Sequence, residues 1–132
     1  DVNHRDIRGK TIAHSLFNIQ SRQKHLINLI LSIKNLNFNV KDNLGKTPLH
    51  YAAIKKSTTF VKKFIELNVD LKIKDEIGFT PAMYSVYYNA PIIAELLIPF
   101  STREEANDLF ELSLKVENLD IKILKLITDL LV

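Results

Sequence analysis

The 132-residue chain is 46% hydrophobic and 25% charged, ordinary proportions for a globular rather than a disordered chain, and its length suits one domain with a continuous core. It has no cysteine, which excludes a disulfide framework and thiolate metal sites and fits a reducing compartment. The net charge of +3 is divided: residues 1–75 hold 14 Lys and Arg against 6 Asp and Glu (+8), and residues 76–132 hold 4 against 9 (−5).

Along the chain, one phrase recurs. Residues 1–11 return at 37–47 and again at 70–80, at intervals of 36 and 33 residues, the period of stacked supersecondary units. Each phrase ends in Asp, two variable residues, Gly, one more residue and Thr: Asp6, Gly9 and Thr11, then Asp42, Gly45 and Thr47, then Asp75, Gly78 and Thr80. The glycine suits a tight turn with positive φ. The threonine stands where a helix N-cap is wanted. Pro48 and Pro81 follow at the first helical position, where a missing N–H matters least.

Two short helices are predicted after each phrase. In the first unit the outer one spans roughly Gln23 to Lys34, preceded by about three extra residues. In the second unit they span Pro48 to Lys56 and Thr58 to Leu67, with Ala52 and Ala53 admitting close neighbours and Phe60, Val61, Phe64 and Ile65 forming an apolar face. Pro99 closes the third unit, and no Asp-x-x-Gly turn follows. Ser101 with Glu104 reads as a capping box opening a helix to about Glu117. A last helix, from about Asp120 to Leu131, carries an apolar face that needs covering.

The stretch from Asp42 to Ala53, with its Thr47-Pro48-Leu49-His50-Tyr51-Ala52 core, closely resembles the ankyrin repeat. Residues 75–100 are similar, with Met83 in place of the histidine. The first unit keeps Thr11 and His14 but has Ile12 for the proline and Leu16-Phe17 for the alanines. The resemblance implies an all-α ankyrin-repeat solenoid of stacked helix-turn-helix units with short hairpin fingers. The units span about 6–41, 42–74 and 75–100, with a degenerate cap at 101–132. The start in mid-phrase, without a methionine, points to a segment of a longer protein. By the same resemblance, His14 and His50 tie one repeat to the next.

Catalysis is not expected. Gly9-Lys10-Thr11 and Gly45-Lys46-Thr47 end like phosphate loops, but His4 and Val40 stand where that motif needs another glycine. His4, His14, His25 and His50 lack metal-ligand spacing. Glu104, Glu105, Asp108 and Glu111 have the spacing of a solvated helix face. No cofactor or small-molecule substrate is implied, and no apolar run is long enough to span a membrane.

The family implies a protein-interaction scaffold that holds a partner on its concave side, in the cytoplasm or nucleus, or in host cytosol for a pathogen effector. The finger positions carried over are Arg5, Ile7, Arg8 and Lys10, then Lys41, Asn43, Leu44 and Lys46, then Lys74, Glu76, Ile77 and Phe79. The inner-helix positions are Asn18, Ile19, Ile54, Lys55, Tyr87 and Tyr88. They form a cationic strip suited to an acidic protein surface, beside an apolar and aromatic patch of the kind binding hot spots use. The competing reading makes the tyrosines gap fillers near the irregular last unit. Two other roles are a regulatory or targeting arm of a larger enzyme, channel or effector, and nucleic-acid binding by the basic half, for which no base-stacking module is visible.

Overall fold

A computed structural model describes residues 1–19 and 23–132, apart from the side chain of Asn18. The three extra residues of the first unit and the Asn18 inner-face position therefore lie outside the described residues. Those described hold seven α-helices and no strand. They are α1 (Lys24–Leu31), α2 (Pro48–Ile54), α3 (Thr58–Glu66), α4 (Pro81–Tyr87), α5 (Pro91–Leu97), α6 (Arg103–Ser113) and α7 (Ile121–Leu131). A 3-10 helix, His14–Asn18, packs on α2. From there the inner layer runs through α4 to α6, and the outer layer from α3 through α5 to α7.

Local chemistry explains why the inner helices begin where they do. Thr47 and Thr80 are extended N-caps, accepting from His50 N at 3.4 Å and Met83 N at 3.3 Å, and each is followed by proline. The first unit differs. Ile12 supplies no fixed φ, and the Thr11 hydroxyl caps no amide. His14 N donates instead to Thr11 O at 3.0 Å and Ser15 N to Ile12 O at 3.1 Å, which winds a 3-10 helix rather than the α-helix expected. The last unit is capped one residue later than its sequence implies. Ser101 N is used in closing a 3-10 turn (Ile98–Phe100) onto Ile98 O, so Thr102 becomes the cap, with Glu105 returning a bond to its amide at 3.0 Å. α6 stops at Ser113, not near Glu117, because Lys115 and Val116 bond three residues back and Asn118 turns left-handed at φ +54°.

One apolar core runs the length of the stack. Ala52 and Ala53 are fully buried where α2 meets its neighbours, and Phe64 in the last turn of α3 touches Phe17, Phe38 and Phe60. The expected cover of α7 exists in part. Ile123 and Ile127 are sealed in the core beside α5 and α6, whereas Ile121 is 78% exposed.

Candidate functional site

Three fingers of one geometry project beside the inner helices. In each, the Asp amide donates to the carbonyl four residues on (2.8 Å in all three), and the Gly amide returns to the Asp carbonyl at 2.9–3.0 Å. The Asp side chain then accepts two further amides, such as Leu44 N at 3.0 Å and Lys46 N at 2.9 Å for Asp42. The glycines have φ of +75°, +76° and +87°. These bonds hold the Asp6 carboxyl below its ordinary range, the Lys10 amide being the largest cause.

The fingers stack through their backbones. Asn43 N donates to Arg8 O at 2.9 Å, and Glu76 N donates to Leu44 O at 3.0 Å, the same positions one unit on. Gly9 and Gly45 are the points of closest approach: an added Cβ would lie 2.9 Å from Asn43 N and 2.7 Å from Glu76 N. Beside Gly78 such an atom meets nothing within 4 Å, because no fourth finger follows.

Side chains reinforce the stack. Nδ1 of His50 accepts from Thr47 N at 3.0 Å, which leaves the proton on Nε2 to donate to Phe79 O of the next finger at 2.8 Å. His14 bonds Thr11 N and Lys46 O in the same way, at 3.1 and 2.9 Å. Burial lowers both imidazole pKa values, outweighing the upward pull of the bonded carbonyls. The Tyr51 hydroxyl donates to Asp42 and the Tyr84 hydroxyl to Asp75. Burial first, then these carboxylates, raise both phenols. Desolvation pulls Asp75 upward, but the Tyr84 hydroxyl, the Phe79 amide and Lys46 together bring it below its ordinary value.

The basic finger positions therefore divide. Lys46 lies 3.5 Å from the buried Asp75 carboxylate and over the Tyr84 ring, and Lys10 lies over Tyr51 at 4.5 Å from its centre. Arg5 donates to Lys41 O at 2.8 Å. Arg8, Lys41, Lys55 and Lys74 extend exposed. Leu44 and Ile77 are exposed at finger tips, while Ile54 is half-buried. Tyr87 (52%) and Tyr88 (42%) are exposed and meet edge to face at 4.9 Å. Half-buried Phe79 touches Tyr87, and Tyr84 stacks on Tyr88, so the four rings form one cluster across finger and helix.

Sequence reasoning did not find the Tyr–Asp pairs or the Lys46–Asp75 pair. The signal available was a tyrosine nine residues after two of the turn aspartates. It also missed an asparagine ladder along the side, in which Asn3, Asn39 and Asn89 accept from Asn37, Asp70 and Asp120 amides at 2.7–2.8 Å. Lys72 occupies that position in the third phrase and reaches Glu105 of α6 instead, at 3.6 Å.

Among the described residues no group of His, Asp and Glu could hold a metal ion, and no helix is long and apolar enough to cross a membrane. A search of curated proteins found no match. A family model described as Ankyrin repeats (3 copies) matches residues 2–108. The triplicated finger, its stacking in one register and that match together place the chain in the ankyrin-repeat family, whose members are generally protein-interaction modules.

Proposed function

We propose that the domain binds a partner protein through the concave side made by its fingers and inner helices. The observation that carries this reading is the exposed aromatic pair Tyr87–Tyr88, held by Phe79 and Tyr84, with Leu44 and Ile77 exposed on the second and third fingers. Aromatic side chains fixed before binding lose little freedom on association. The exposed cations Arg8, Lys41 and Lys74 of the fingers and Lys55 at the end of α2 suit an acidic region of the partner. The domain acts as a rigid scaffold rather than a catalyst, and its lack of cysteine fits an intracellular setting.

The test is capture of partners from lysate by the domain and by Tyr87→Ala/Tyr88→Ala, both confirmed folded by circular dichroism, followed by calorimetry on the purified partner. The double variant is expected to weaken binding by at least about 1–2 kcal/mol. Equal affinity of the two proteins would remove this surface from the interaction.

A further inference from the structure

The row of fingers stops one unit before the row of helices does. α6 and α7 stack as a fourth unit, yet the chain passes from Phe100 to Thr102 without a turn. Between the third finger and α6 this leaves a cleft of about 440 Å³, floored by Phe79, Met83, Tyr87, Leu112 and Val116.

Several features mark it as the seat of a finger. Gly9 and Gly45 each press on the backbone of the next finger, whereas Gly78 faces open space. Arg8 O and Leu44 O each accept an amide from the next finger, and among the described residues nothing donates to Ile77 O, the corresponding atom. His14 and His50 each reach a carbonyl of the following finger, and Met83, which can donate no such bond, stands at their position. The wall on the α6 side carries Asp108 and Glu111, exposed and without an ion pair among the described residues, with Lys115 on the same wall and Lys74 lining the adjoining hollow that Asp108 shares.

We propose that this cleft binds a turn-forming, positively charged segment of the partner protein, which completes the row of fingers. The segment donates a backbone N–H to Ile77 O, rests an apolar side chain on the Phe79–Met83–Leu112 floor and sets a cation against Asp108 and Glu111. This rests on the concave-face reading and adds an orientation to it. The acidic part of the partner lies over the first two units and its basic turn enters beside the last.

The chain's own first phrase supplies a probe, since residues 1–11 combine a finger turn with Ile7, Arg5, Arg8 and Lys10. An acetylated, amidated peptide of residues 1–11 is titrated into the ¹⁵N-labelled domain. Expected are amide shifts centred on Gly78, Phe79, Glu111 and Lys115. Asp108→Arg/Glu111→Arg, both at exposed positions, should weaken binding at least about tenfold, as should N-methylation at Ile7 of the peptide. Absence of shifts at millimolar peptide overturns the proposal. So do shifts confined to other units, or equal binding of a peptide with Glu at its three basic positions. Self-association of the domain through the same amides, without peptide, would identify a second copy as the occupant and likewise overturn it. With the captured partner the two readings separate. Sensitivity to Tyr88→Ala/Lys41→Glu, which leave the cleft wall untouched, with indifference to the α6 double variant sinks only the cleft. Indifference to both sets of changes sinks both.

Discussion

Gly45→Ala and Gly78→Ala form a matched pair that isolates what contact between fingers contributes. Both residues hold positive φ, +76° and +87°, so each alanine pays a similar backbone penalty of about 1–2 kcal/mol. Only at position 45 does the new methyl also collide, lying 2.7 Å from Glu76 N and 3.0 Å from the Asp75 carbonyl carbon. Both neighbours are backbone, so relief requires moving the third finger, and the Glu76 N–H to Leu44 O bond lies directly in the way. Losing that bond and shifting the finger adds about 1–2 kcal/mol. With unfolding entropy of about 2.1 cal/mol/K per residue, each kcal/mol moves the melting temperature of this 132-residue chain by about 3–4 °C. Gly45→Ala should therefore melt roughly 4–7 °C below Gly78→Ala by differential scanning calorimetry. Melting temperatures equal within error would refute the idea that stacked finger backbones carry stability, and with it the significance of the open seat beside Gly78.

The buried histidines give the fold a pH dependence of definite sign. Burial holds His14 and His50 below the ordinary value of 6.5, so the unfolded chain takes up protons that the folded one refuses. Their contribution is complete above that value and is lost as pH falls from it toward the folded values, with a slope of at most about 1.4 kcal/mol per pH unit for each group. Chemical denaturation from about pH 7 to about pH 5 should show the loss, and His50→Leu should flatten it; an unchanged slope in that variant would assign the effect elsewhere. Lys56 stands at φ +54° between α2 and α3, where Asn89 and Asn118 occupy the matching turns of later units. Lys56→Gly should raise the melting temperature by roughly 2–4 °C, corresponding to about 0.5–1 kcal/mol, and a lower value would show that the lysine makes a compensating contact.

The sequence disclosed most where a residue answers a demand of its own backbone. Gly45 and Gly78 declare a positive φ, Thr47 and Thr80 declare a cap, and Pro48 and Pro81 declare a first turn, all within four residues in each unit. The same logic found the exposed Tyr87 and Tyr88, because position within a repeat settles which way an inner helix faces. It failed where the deciding partner lies one unit away. Lys46 reads as a surface cation until Asp75 appears beneath it, and Asn39 reads as a loop residue until the Asp70 amide arrives. The first inner helix and the Thr102 cap were misjudged for a related reason. Each depends on how an irregular end unit closes on its own backbone, Ser15 on Ile12 and Ser101 on Ile98, which repetition cannot teach.

The histidine, arginine and asparagine ties between units join residues only 29 to 36 positions apart. Helix packing follows the same rule among the described residues, the main contacts of each unit being with the units next to it. Assembly therefore never waits for the two ends of the chain to find one another, and contact order stays bounded however many units are stacked. A partly folded chain is already a shorter version of the native one, with an intact boundary that the next unit can extend. Damage is confined by the same arithmetic. A unit that opens at one end deprives one neighbour of support and leaves the units beyond it clasped.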